Sequence, residues 1–190
     1  GQMIPMATNS DDWIAGVLSY VRNSFANRAG FVTSKEVATL RAATKERTQP
    51  WTIEELRAAL PQPVPHREQW KLTASHAPGD CGLAIDGKSE TRYTTKAEQK
   101  PGMWLQIELP AETAISGLGL ESNNSPGDYP RGFSIELSRD GEKWGKPIAT
   151  GKGTLPDTVV QFAPAKAKFI RITQTGAQKG KYWSVHELHI

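Results

Sequence analysis

The chain has a single cysteine, Cys81, in 190 residues. That excludes an internal disulfide framework and any Cys-rich zinc or iron–sulfur site built by this chain alone. No apolar run approaches the ~18 residues that a membrane-spanning helix needs. An excess of one charge is missing too: 23 basic and 20 acidic residues leave a formal net charge of +3, spread along the chain. A dedicated nucleic-acid binder concentrates its basic groups, so no nucleic-acid partner is expected. Hydrolytic motifs are also lacking. His66, His76, His186 and His189 fit no H-E-x-x-H spacing, and no G-x-S-x-G occurs. Cys81 follows Gly79-Asp80 without a catalytic context and reads as a buried, inert thiol. His186 and His189, three apart on a strand, fall on opposite faces and do not share a metal. No enzyme is expected in this chain.

What is present divides unevenly. Residues 1–60 hold three glycines and two prolines, whereas residues 61–190 hold fourteen and eleven. The first part therefore reads as helical and the second as short strands with many turns. Between them, Pro61-Gln62-Pro63-Val64-Pro65 predicts an extended linker over 61–69. In the helical part Ser10 precedes Asp11 and Asp12 as an N-cap, and Ile14, Val17, Leu18, Val21 and Phe25 form an apolar stripe. Thr33 with Glu36, and Thr52 with Glu55, have the spacing of capping boxes. Three short helices make a thin core, and Gly1 is an unusual native start, so this segment is expected to belong to a longer protein.

From Trp70 onward the period is two. Leu105, Ile107 and Leu109 share one face; so do Phe133, Ile135 and Leu137, and so do Ile170 and Ile172. Val185 with Leu188 or Ile190 closes the pattern, while Asp86-Gly87 and Asp140-Gly141 supply turns. Strands so spaced, with no helices between them, predict an antiparallel sandwich or jelly roll over 70–190.

The ordered set Thr73-Ala74-Ser75, Ala84-Ile85-Asp86-Gly87, Thr91-Arg92-Tyr93, Trp104–Leu109, Asp128–Phe133, Ser138–Trp144, Ile170-Arg171-Ile172 and Trp183–Leu188 resembles a coagulation factor 5/8 type C domain. Such domains are also called discoidin-like and stand close to the family 32 carbohydrate-binding modules. The resemblance implies a mainly β fold, an eight-stranded antiparallel jelly-roll sandwich, here preceded by a short α-helical segment. It also implies a structural Ca²⁺ held by Asp86, Thr91 and Glu187 with the carbonyls of Lys88 and His186. Oxygen donors of this kind suit a hard cation; the plain alternative is a tight turn at Asp86-Gly87 and a solvated Glu187. A glycan or cell-surface polymer would bind on end loops through Trp183, Tyr182, Asn123, Asn124, Asp128, Tyr129 and Arg131. Sugar sites pair an aromatic face with a few polar groups. Against that, Trp183 has a second reading as a seal on the core, and Arg131 as an ion-pair partner of Asp128. Galactose-binding members of the family carry His, Trp and Arg where this chain has Thr94, Ala97 and Asn123 or Asn124. The loop Thr94–Lys100 has lysines but no large apolar tip, so membrane insertion is not expected.

Residues 1–60 are similar to the C-terminal tail of a class I c-type cytochrome, on Met3-Ile4-Pro5-Met6 and the helix opened by Ser10-Asp11-Asp12. The resemblance implies Met3, or alternatively Met6, as a haem axial ligand in the intact domain. No C-x-x-C-H motif is present, so haem c is expected only with an upstream half. The expected function is a non-catalytic carbohydrate- or surface-binding module at the C-terminus of a larger exported haem protein, periplasmic or extracellular. The alternative is an electron-transfer or dehydrogenase protein in which the sandwich only docks upstream domains.

Overall fold

A computed structural model of the chain describes residues 8–25, 31–59, 63–122 and 125–190. It divides into two compact units, Gly1–Arg57 and Ala58–Ile190. In the first, α1 spans Asp11–Asn23, α2 Ser34–Ala43 and α3 Ile53–Ala59. The expected caps form. Ser10 Oγ accepts from Trp13 N at 3.2 Å, and Thr33 and Glu36 satisfy each other's backbone donors. Thr52 and Glu55 do the same at 2.9 and 3.1 Å. Arg41 ties the first two helices, reaching Asp11 and the Asn9 carbonyl at 2.8 Å each. Burial is where expectation fails. Among the described residues of this unit only Ala15 and Val37 are buried, and Val17, Leu18, Val21 and Phe25 are exposed. The stripe is amphipathic as read, but its residues stay exposed among the described residues of this unit.

The second unit is the predicted sandwich. Among the described residues its eight strands are β1 Lys71–Ala74, β2 Tyr93–Thr94, β3 Trp104–Glu121, β4 Phe133–Ser138, β5 Ala149–Gly151, β6 Asp157–Gln174, β7 Ser184–Val185 and β8 Leu188–His189. One sheet runs β1-β3-β6-β4-β5 with β8 also on β3, and β2 pairs β7 apart from it. All pairings are antiparallel. Irregularities between Glu108 and Thr113, and between Ile115 and Gly117, break the register of β3 against β6. Bulges of this kind bend long strands. Leu105, Ile107, Leu109, Ile135, Ile170 and Ile172 are fully buried, as their alternation requires, and Tyr93, Trp183, Val185 and Leu188 join them. Each such side chain contributes about 1.5–3 kcal/mol of burial.

Residues 63–69 are not a free tether. Val64 is buried and its amide donates to the Ile190 carbonyl at 2.7 Å. Trp70 Nε1 donates to the Pro65 carbonyl at 3.3 Å. Arg67 then crosses to the other terminus, where one Nη2 meets the Glu187 carboxylate, the Leu188 carbonyl at 2.9 Å and the Ala84 carbonyl at 3.3 Å. After the prolines a short 3-10 turn, Arg67–Gln69, leads into β1, and the segment lies along the sandwich.

Two outcomes follow from the charged groups of this unit. Glu187→Gln leaves Arg67 without its anion, and urea unfolding should show a loss of about 2–3 kcal/mol, below the fully buried case because Arg67 is partly exposed. A loss under about 0.5 kcal/mol would mean that the pair is screened like a surface bridge. Asp157 behaves oppositely. Burial, then repulsion from Glu121 across the strand pair, raises its carboxyl above the ordinary range, while His189 opposes them. A folded carboxyl that holds its proton more tightly than the unfolded one loses stability as pH rises from about 3.9 through the folded value. Asp157→Asn should therefore raise the melting temperature at neutral pH, and the gain should vanish below about pH 4.

Candidate functional site

Three loops, over residues 95–102, 125–132 and 175–183, meet at one buried side chain. Gln99 is 1% exposed, and its carboxamide uses both groups twice. Nε2 donates to the Tyr129 carbonyl at 3.0 Å and the Tyr182 carbonyl at 2.6 Å. Oε1 accepts from Arg131 N at 3.2 Å and from Gln174 Nε2. The Gln99 backbone adds bonds to Lys181 and Gln178 at 2.8 and 3.1 Å. Gln174 extends the link, its Oε1 accepting from Gly132 N at 3.1 Å. A Cβ on Gly176 would lie 2.7 Å from the backbone of Arg131 and Gly132, so only glycine permits this approach of the second and third loops.

The expected ligand residues separate on this frame. Trp183 is 0% exposed and packs edge-on to Tyr93 with ring centroids 6.4 Å apart. It seals the core and leaves no ring face open to a sugar, which corrects the stacking reading; its backbone pairs with Thr95. Tyr182, its neighbour, is 45% exposed. Asp128 and Arg131 form no ion pair; Asp128 Oδ2 accepts from Ser184 Oγ at 2.8 Å. Arg131 lies over the Tyr129 ring at 3.7 Å and donates to the Gly127 carbonyl at 2.8 Å. Asn123, Asn124, Met3 and Met6 lie outside the described residues. The arrangement brings together Tyr129, Arg131, Asp128 and Tyr182 on one organised loop end. Sequence reasoning missed Gln99 and Gln174, which no local motif marks.

At the expected calcium locus, Thr91 Oγ1 lies 2.9 and 2.7 Å from the two Asp86 oxygens and 3.0 Å from the Lys88 carbonyl. One hydroxyl proton cannot serve three acceptors, so these oxygens are crowded as a hard cation would crowd them. The Thr91 hydroxyl, first among the causes, holds the Asp86 carboxyl below the ordinary range. Glu187 is placed differently. Its Oε1 accepts from Gly87 N and Lys88 N at 2.8 and 3.0 Å, and its Oε2 meets Arg67. Asp86, Thr91 and the Lys88 carbonyl gather fewer oxygens than the six to eight a Ca²⁺ takes, and Glu187 is engaged by Gly87, Lys88 and Arg67.

The remaining candidates are structural. Burial pushes the Cys81 thiol up, which keeps it an unreactive thiol. His186 is 0% exposed; its Nδ1 donates to the Ser89 carbonyl at 2.8 Å and its Nε2 lies 3.0 Å from Ser125 Oγ. His189 points the other way, to Glu121 at 2.7 Å. Among the described residues, no group of three or more His, Cys, Asp or Glu side chains could hold a metal, and no helix is long and apolar enough to cross a membrane. An apolar groove of about 620 Å³ lined by Val64, Trp70, Leu118, Val160 and Ile190 does not include the loop residues.

Gln99→Leu should cost about 2–4 kcal/mol in chemical unfolding, because the carbonyls of Tyr129 and Tyr182 lose buried donors. Tyr182→Ala should cost less than about 1 kcal/mol, in keeping with its exposure.

Comparison with known proteins bears on the fold of the sandwich. The chain is 27% identical over 136 residues to galactose oxidase of Gibberella zeae, covering 65% of this chain and 20% of that protein. It thus spans about a fifth of the length of that curated relative. Among solved structures it is similar to CpGH89CBM32-5 of Clostridium perfringens, in complex with GalNAc-β-1,3-galactose. That likeness has a TM-score of 0.58 and 21% identity, covering 67% of this chain and 98% of that one. Chitosan-binding module 2 of the chitosanase/glucanase from Paenibacillus sp. IK-5, in complex with chitotriose, is similar with a TM-score of 0.54 and 24% identity, over 62% and 92% of the two chains. The F5/8 type C domain description matches residues 70–188, and the chain belongs to that family.

Proposed function

We propose that the sandwich is a non-catalytic glycan-binding module of an exported protein, and that it binds on the loop end organised by Gln99. The observation that carries this is the placement of Tyr182, exposed, beside Tyr129, Arg131 and Asp128 on a surface whose backbone is fixed by one buried amide. Tyrosine faces stack on sugar C–H groups, and the guanidinium and carboxylate bond hydroxyls. A preorganised surface loses little entropy on binding, which suits a weak, repeated polymer ligand. Periplasmic or extracellular placement follows from contact with such a polymer. Calcium, when bound, supplies a fixed positive charge that holds the Asp86–Thr91 turn.

Glycan-array screening followed by calorimetry tests the reading: the chain should retain at least one glycan, and Tyr182→Ala should abolish that binding without unfolding the chain. Failure to bind any glycan overturns the proposal. Calcium should raise the melting temperature and a chelator should reverse it, with Asp86→Asn removing the increment. Identical melting with calcium and with chelator would refute the metal.

A further inference from the structure

The first half of β6 has an open side. Residues 157–161 pair with β3, but β4 pairs only with residues 169–174, so among the described residues no strand takes the other edge of 157–162. Which backbone groups face that edge is fixed where the strand begins. The Pro156 carbonyl accepts from Ser122 N at 2.9 Å, on the β3 side. The next carbonyl, of Asp157, accepts from Thr154 Oγ1 at 2.5 Å, on the side away from β3. Backbone groups alternate along a strand, so Val159 and Gln161 turn their amides and carbonyls outward as Asp157 does. Natural edges are blunted by shortness, lysine or proline. β5 is only three residues long, and β1 is four with Lys71 at its start. Residues 158–162 have no charge and no proline, and Val159 is 69% exposed.

The surroundings indicate what would pair there. Val159, Val160 and Phe162 line the apolar groove of about 620 Å³, and so do Asp157 and Glu121, which face each other in the β3–β6 register. Glu121 meets His189 at 2.7 Å, while Asp157 has no cation within ion-pair distance among the described residues. Arg67, on the same groove, is taken by Glu187. The edge thus offers backbone donors and acceptors, apolar surface, and an unbalanced negative charge where the strand begins. We propose that residues 157–162 are a docking edge for an extended segment of a partner protein, which adds to β6 as an antiparallel strand. Its alternate side chains are apolar, and a lysine or arginine near its C-terminal end faces Asp157. Every strand pairing in this unit is antiparallel, and that direction sets the C-terminal end of the segment beside residue 157. A second copy of the chain matches less well, since its own residues 157–162 bring no cation to Asp157. None of these residues belongs to the loop end built on Gln99.

The test is NMR titration of the isotope-labelled full chain with a synthetic peptide of alternating valine and threonine that has lysine near its C-terminus. Amide shifts and slowed hydrogen exchange should centre on Val159 and Gln161. Methylating the peptide's edge-facing amide nitrogens should abolish binding, because the ladder bonds are then lost. Glutamate in place of the lysine should weaken binding about tenfold. Asp157→Asn should remove that preference for lysine. Val159→Lys should block the edge; Val159 is exposed, so this variant stays informative if Gln161→Pro, which deletes an edge donor, misfolds. No response at Val159 and Gln161 overturns the docking edge, as does equal binding of the methylated peptide. Equal affinity for the lysine and glutamate peptides overturns the charge selection. Sedimentation showing a dimer that Val159→Lys dissolves overturns the partner assignment, since a second copy then occupies the edge.

Discussion

The Glu187 carboxylate is the point at which distant parts of the sandwich are tied together. It is 5% exposed and accepts from two amides of the Asp86-Gly87 turn on one oxygen and from Arg67 on the other. Residues 67, 87 and 187 are thereby joined through a single charge. A buried carboxylate without donors would cost several kcal/mol, so each of these partners stabilises the others' placement. The final strands are only two residues long each and could not hold by their ladder alone. What keeps them is side-chain bonding at Ser184, His186 and Glu187, between and beside them.

The same logic, with neutral groups, builds the loop end. An amide can donate twice and accept twice, and Gln99 spends all four on loop backbone and on Gln174. Loops of this length without such a centre would sample many conformations. Here that centre fixes the loop backbone, while Tyr182 and the lysines around it stand exposed.

Much of the fold was readable because it is local. The caps at Ser10, Thr33 and Thr52 depend on residues three apart, and the faces of β3, β4 and β6 depend on alternation. The site was only half readable, since its parts depend on distance. Trp183 and Tyr182 are adjacent aromatics of similar size just before β7, one buried and the other 45% exposed. Nothing within the local sequence says which one. Arg67 sits in a proline-rich stretch whose composition suggests a linker, and its partner is 120 residues away. The α1 stripe has the right period, yet periodicity shows only that a face is apolar, not that this unit contains what covers it.

The bond from Val64 N to Ile190 O places the incoming and outgoing ends of the sandwich side by side. Topologically the unit is almost a closed ring, since its strand pairings do not depend on where the covalent chain is cut. A short peptide joining 190 to 64 would permit a new opening in an exposed turn such as that after Asp140, with every ladder kept. Natural chains could exploit this closure in the same way, since a host domain needs only one attachment point to carry the sandwich as a pendant or as an insertion.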